Sequence, residues 1–171
     1  MNRSSSMKRA ITIVLVGAAA SVCAVRAHAQ TRLVVASGAI VYQATSLPSS
    51  RLINPEELAK ILQSSKGEKP LMIQVGSHVL YQQAHILGSE YIGPASSDSG
   101  LQSLHKRVES LPRNKFIVIY CGCCPWSHCP NVKPADDALR AMGFINVKVL
   151  YIANNFGADW VDKGYPVAKG D

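Results

Sequence analysis

The chain has 171 residues, with 18 Lys plus Arg against 11 Asp plus Glu and a formal charge of +7. Four of the basic residues, Arg3, Lys8, Arg9 and Arg26, lie within residues 1–29, so the rest carries only +3. With no Lys/Arg run or aromatic platform beyond them, a nucleic-acid partner is not expected. The length suits about one domain, large enough to bury a core without disulfide staples.

Lys8 and Arg9 precede an apolar run from Ala10 to Val22, and Ala27-His28-Ala29 has the A-x-A form of a cleavage site. Residues 1–29 therefore read as a secretory signal peptide, with the mature chain starting at Gln30. The run is too short for a membrane span, which implies a periplasmic or secreted protein with no stable membrane insertion after cleavage. Cys23 falls inside the leader, and Ala20-Ser21-Val22 before it is a poor lipobox-like match because Val22 is bulky. Residues 30–50 hold one apolar segment, Leu33 to Tyr42, and then a Ser/Thr-rich stretch, and read as an N-terminal arm or linker to a body spanning residues 51–171.

Asn54-Pro55-Glu56-Glu57 predicts a helix start with an N-cap, a proline at the first position and early acidic residues. Leu58, Ile61 and Leu62 share one face, and the helix stops near Ser65-Lys66-Gly67. Leu71 to Val75 is a short apolar run expected as a buried strand, followed by a turn at Gly76-Ser77 and a short helix from Tyr81 to Ala84. Glu90-Tyr91-Ile92 is a further strand, ended by Gly93-Pro94. Leu101, Leu104, His105, Val108 and Leu111 recur at helical spacing up to Pro112. Phe116 to Tyr120 predicts a central strand, Pro134 to Met142 a helix stopped by Gly143, Val147 to Leu150 a strand, and Asp159-Trp160-Val161 a last short helix. Strands alternating with helices give an α/β fold with a mostly parallel sheet flanked by helices on both faces. Function in such sheets collects beyond the carboxyl ends of the strands.

Cys121 stands there. Every cysteine outside the leader, Cys121, Cys123, Cys124 and Cys129, falls within nine positions directly after the central strand. Only a thiolate attacks or binds a metal, and backbone N–H groups leading into a helix N-terminus stabilise one, so Cys121 is the candidate nucleophile. Two structural disulfides are the plainer alternative, but adjacent Cys123 and Cys124 and the crowding of all four disfavour two unstrained bridges. His85 is expected as a hydrogen-bonded turn residue, His78 and His105 at the surface, Trp160 and Tyr165 in the core, and Lys106-Arg107 and Asp136-Asp137 on solvated helix faces.

Asn54-Pro55-Glu56-Glu57-Leu58, His85-Ile86-Leu87-Gly88-Ser89, Ile117 to Cys121, Gly143-Phe144-Ile145-Asn146-Val147, and Trp160 with Gly164-Tyr165-Pro166-Val167 together resemble a single-domain rhodanese. The resemblance runs from about Arg51 to Gly170 and implies a sulfurtransferase that carries sulfur as a persulfide on Cys121, without a cofactor. Its partners would be a small sulfur donor (thiosulfate, a polysulfide or a persulfide) and a thiol acceptor. Two departures stand out. Gln74 and Gly76 occupy the positions around Val75 where rhodaneses often carry an aspartate and an arginine. Against a loop resembling Cys-x-x-Gly-x-Arg-Ser, Cys124 takes the glycine position and Trp126 the arginine position, while Ser127 is kept. In the Cys-x5-Arg loop of rhodanese-fold phosphatases the arginine position would fall on Ser127, which disfavours phosphate-ester hydrolysis.

Backbone N–H groups from Gly122 to Trp126 are then expected to cradle the substrate, with Ser127 part of the loop and His128 and Lys133 the cationic candidates for the missing arginine. Lysine is the weaker fork for an oxyanion, so polysulfides and persulfides are expected to serve better than thiosulfate. Cys123, Cys124 and Cys129 are possible resolving thiols: attack on a Cys121 persulfide would expel sulfide, leave a disulfide and require a reductant. A staple between Cys129 and one partner is the plainer reading of the extra thiols. A soft-metal or redox module, with Cys121, Cys123, Cys124, Cys129 and His128 as ligands for Cu(I) or Zn(II), is the alternative function, although the spacing lacks paired C-x2-C knuckles.

Overall fold

The structure is a computed structural model that describes residues 46–171; the expected leader, and the arm as far as residue 45, lie outside the described residues. Five parallel strands form the main sheet in the order β1 (Leu52–Ile53), β6 (Val147–Leu150), β5 (Ile117–Tyr120), β2 (Leu71–Gln74) and β4 (Glu90–Tyr91). Strand β5 is central, and all four of its side chains are buried. An unbroken apolar run suits that position, because a parallel strand in mid-sheet is covered on both faces.

Alternation along β5 divides the core in two. Ile117 and Ile119 pack with Leu104 and Val108 of α3 (Asp98–Val108) and Ala135 and Leu139 of α4 (Val132–Ala141). Val118 and Tyr120 face the other way, toward Leu58 and Ala59 of α1 (Pro55–Gln63) and toward Phe156 and Trp160. Trp160 is fully buried, donates its indole N–H to the Pro166 carbonyl at 3.0 Å and meets Tyr165 edge-on. Burial of a ring that size, roughly 150–250 Å² at about 25 cal/mol per Å², offsets the ordering of several residues.

Helix boundaries shift for local reasons. Helix α1 starts at Pro55 as expected, but the Asn54 side chain makes no cap bond; the proline's preset φ and Glu56 and Glu57 at the positive helix end favour the start. Helix α3 begins at Asp98, before Leu101, because the Ser97 hydroxyl accepts the Gly100 N–H at 3.2 Å. Helix α4 begins at Val132, with Pro134 in the first turn, where a missing N–H costs nothing. Helix α2 (His78–Gln83) starts earlier than Tyr81, and the last helical piece is a single π turn over Gly157–Val161.

Three strands escape the sequence pattern. Besides β1, these are β3 (His85–Ile86) and β7 (Val167–Ala168), which pair antiparallel as a separate two-stranded ribbon. Two residues are too few to display alternation. His85 is buried there, stacked on Tyr81 and bonded to its carbonyl at 2.9 Å, while His78 and His105 are exposed as expected.

Asp136 departs from its expected solvated place. It is 0% exposed, held by Arg51 at 2.8 Å and by Arg140, one turn along α4, at 3.1 Å. Two guanidinium groups replace the water that the carboxylate loses. Among the described residues, no helix is long and apolar enough to cross a membrane.

Candidate active site

Strand β5 delivers Cys121 to the carboxyl end of the sheet, between the ends of β2 and β6. Both neighbours grip the loop. From β2, the buried Gln74 side chain donates to the Cys121 carbonyl at 3.2 Å while its oxygen accepts the Gly76 N–H at 3.1 Å. Beyond β6, the Ala153 carbonyl accepts the Trp126 N–H at 3.1 Å. The departure at Gln74 therefore has a role: a neutral amide anchors the base of the loop where an ion pair is absent.

Two glycines permit this path. Gly122 has φ +74°, and a Cβ there would lie 2.8 Å from the Phe156 Cβ, so the loop turns tightly over that ring. A Cβ on Gly76 would lie 2.8 Å from the Cys121 sulfur. Glycine there lets the sulfur settle against the end of β2.

Among the described residues no disulfide joins the four cysteines, and they converge. The Cys121 and Cys123 sulfurs are 2.8 Å apart, those of Cys123 and Cys124 3.5 Å, and Cys129 shares a hydrogen bond with Cys121. The Cys124 thiol is also directed at the His128 carbonyl, at 3.6 Å. Cys121 is 3% exposed and Cys129 6%, whereas Cys123 and Cys124 are half-buried.

Charge is distributed unevenly over the cluster. The hydrogen bonds of Cys121 to Cys123 and Cys129, with burial behind them, push the Cys121 thiol well up from its ordinary range. The Cys121 bond holds Cys123 down at about 6. Cys129 is held at about 7, by Cys121 first and also by the backbone N–H groups of Asn131 and Val132. Burial pushes Cys124 up to about 12. The N-terminus of α4 thus serves Cys129 rather than Cys121, contrary to the expectation from sequence. The shared hydrogen bonds favour the thiol form on Cys121 and the thiolate form on its partners.

The remaining expected loop residues are placed as follows. Trp126 sits edge-on to Tyr151, at 5.1 Å between rings, and its N–H is taken by Ala153, so it packs the loop down rather than cradling an anion. Pro125 has no N–H, which leaves only Gly122, Cys123 and Cys124 of the expected cradle. The Ser127 hydroxyl bonds the His128 Nδ1 at 2.7 Å, both residues being exposed. Lys133 pairs with Asp137 on the outer face of α4 and lines neither cavity at the thiols.

Asn131 is the residue that sequence reasoning missed. It is buried, its amide nitrogen donates to the Cys121 sulfur at 3.4 Å and also reaches Cys123, and its oxygen accepts the Ser96 N–H at 3.0 Å. An asparagine before a helix reads as a cap, and this one makes no side-chain cap bond. Its work is directed at sulfur.

The family model for the Rhodanese-like domain matches residues 54–151, more than half of the chain. The chain belongs to the rhodanese-like family. Solved structures carry the same fold. The BH2092 protein from Bacillus halodurans superposes with a TM-score of 0.52 at 21% identity, covering 70% of this chain and 77% of that one. The rhodanese-like domain of the Alr3790 protein from Anabaena gives 0.51 at 20% identity, covering 70% and 79%. No curated protein matches the chain. The rhodanese fold and a cysteine cluster at its strand ends support chemistry of the sulfurtransferase type, in a family whose members use sulfur donors and thiol acceptors and include many non-catalytic domains.

Proposed function

We propose that this rhodanese is a sulfurtransferase in which Cys121 carries sulfane sulfur as a persulfide. One observation carries the reading: the Cys121 sulfur ends the central strand with an amide donor 3.4 Å away and a second thiol sulfur at 2.8 Å. The Cys121 thiolate, formed when its proton passes to a neighbouring sulfur, attacks the outer sulfur of the donor. The donor's S–S bond breaks, and its electron pair leaves with the donor thiolate, or with sulfite when thiosulfate is the donor. An acceptor thiolate then attacks the carried sulfur and releases Cys121. No net oxidation occurs.

With Lys133 turned to Asp137 and, among the described residues, no Lys or Arg lining the cavities at the thiols, a dianion such as thiosulfate finds little compensation. Polysulfides and persulfides are the preferred donors in this reading. A secretory leader over residues 1–29, as read from the sequence, supports a periplasmic or extracellular setting for this reaction, where oxidising conditions demand a use for reduced thiols.

Intact mass of the mature, reduced, metal-free protein after exposure to polysulfide or thiosulfate tests the proposal, with Cys121→Ser alongside. One added sulfur atom, trapped by rapid quench and mapped to Cys121 in the wild type but not to position 121 in the variant, supports it; no adduct on any cysteine at early times refutes it. A second reading rests on the Cys121, Cys123 and Cys124 sulfurs lying within 4.8 Å of one another, close enough to bind one soft ion. Cu(I) or Zn(II) retained stoichiometrically through chelator dialysis would favour that reading over sulfur transfer.

A further inference from the structure

We propose that Cys123 is the thiol that meets the incoming donor, in the cleft between α2 and the turn at Asn155–Gly157, and that it passes sulfur on to Cys121. The inference rests on the sulfurtransferase reading and changes the route by which sulfur arrives.

Access decides it. The cavity lined by Cys121, Cys124, Cys129 and Trp126 has a volume of about 10 Å³, room for one water at most. Cys121 is 3% exposed, with the Cys123 sulfur 2.8 Å from its own. On the other side of the loop, Cys123 lines a cleft of about 340 Å³, a volume typical of small-molecule sites, and Cys121 is absent from its wall. A donor diffusing in reaches Cys123 first.

The cleft wall also sets the class of donor. Leu80, Ala84, Phe156 and Val161 make it apolar, and Gln83 and Asn155 add neutral polar groups. Among the described residues it is lined by no Lys, Arg, His, Asp or Glu, and Leu80 and Val161 stand exposed at its rim. An organic persulfide, R–S–SH, fits such a wall; a small dianion does not.

The chemistry balances without an outside oxidant or reductant. The Cys123 thiolate attacks the terminal sulfur of R–S–SH, the S–S bond breaks, and R–S⁻ leaves with the electron pair, giving Cys123–S–SH. The Cys121 sulfur then attacks that terminal sulfur, the new S–S bond breaks toward Cys123, and the proton of Cys121 passes to the Cys123 sulfur. The products are Cys121–S–SH and a Cys123 thiol. The Asn131 amide, bonded to both sulfurs, stays in contact with the anion through the exchange.

The test is rapid quench with cysteine persulfide, alkylation and peptide mapping, on wild type, Cys121→Ser, Cys123→Ser and Val161→Trp. Sulfur is expected to stay on Cys123 in Cys121→Ser, and loading of Cys121 is expected to slow at least tenfold in Cys123→Ser. Val161→Trp, which fills the cleft without touching a thiol, is expected to slow loading of both cysteines and decides the matter should Cys123→Ser fail to fold. Loading of Cys121 at the wild-type rate in Cys123→Ser or Val161→Trp would overturn the relay and leave the sulfurtransferase reading standing. Absence of sulfur on wild type and every variant would overturn both.

Discussion

The Asn131 amide nitrogen lies 3.4 Å from the Cys121 sulfur, and the orientation of that amide is fixed, because its oxygen is committed to the Ser96 N–H at 3.0 Å. A donor held toward sulfur favours the anionic form in both thiolate and persulfide. Asn131→Asp keeps the acceptor for Ser96 and replaces the donor by a negative charge. Persulfide formation on Cys121 is expected to slow about tenfold, the effect of roughly 1.4 kcal/mol, and the pH midpoint of thiol alkylation is expected to rise. Unchanged rate and midpoint would reduce Asn131 to a structural link between α4 and the Ser96 loop.

Cys123 and Cys124 are adjacent and both half-buried, yet their thiols are pushed apart, to about 6 and about 12. Only the thiolate alkylates. The lowered value means that Cys123 is ionised above pH 6 and loses reactivity as the pH falls through that point, whereas Cys124 stays protonated across the neutral range. Limited iodoacetamide labelling followed by peptide mapping is expected to find Cys123 modified first at pH 7, with a rate that is flat to pH 8 and halves near pH 6. Equal labelling of the two cysteines would contradict the charge distribution described above.

Which parts of this arrangement were legible beforehand follows from the range of the interactions involved. The buried run Phe116–Tyr120 and the thiols after it are contiguous, so the central strand and the place of Cys121 could be read directly. The partners of the cluster could not. Gln74 reaches the Cys121 carbonyl across 47 positions, and Phe156 meets Gly122 through the fold, so neither spacing nor composition marks them. Asn131 lies ahead of the helix expected from Pro134, and nothing in its neighbours points it at sulfur. Asp136 looked solvated because its neighbour Asp137 is, and nothing local announces that Arg51, 85 positions away, lies over it. Lys133 was a reasonable stand-in for arginine until Asp137, one helical turn on, claimed it.

That buried carboxylate has a measurable weight. Asp136 joins the approach to β1, through Arg51, to the helix that directly follows Cys129 and Asn131. Asp136→Ala leaves two guanidinium groups facing an emptied site, though both are partly exposed and regain some water. Destabilisation of about 3 kcal/mol is expected, read as a lowered urea midpoint with an unchanged slope. Asp136→Asn, which keeps the shape and part of the hydrogen bonding, should lose less. A midpoint shift no larger than that of an ordinary surface substitution would show that water replaces the carboxylate.

Oxidation tests the cluster from another side. The 2.8 Å between the Cys121 and Cys123 sulfurs must shrink only to about 2.05 Å for a disulfide to form, and the 3.5 Å between Cys123 and Cys124 requires more movement. The bond closes a loop of three residues, so it removes little entropy from the unfolded chain and should be easily reduced. Mild treatment with diamide is expected to remove two hydrogens and to link Cys121 to Cys123, as judged by mapping without reduction. Cys123→Ser should abolish that link and Cys124→Ser should not. The same pairing provides a second fate for sulfur. When donor is present and acceptor absent, Cys123 attacks the inner sulfur of a Cys121 persulfide, hydrosulfide leaves with the electron pair of the broken S–S bond, and the enzyme stops as the disulfide until a dithiol reduces it. Sulfide release of one equivalent, dependent on Cys123 and restored to turnover by dithiothreitol, is the expected result. A disulfide that instead joins Cys129 to Cys124 would make the cluster a staple for the loop.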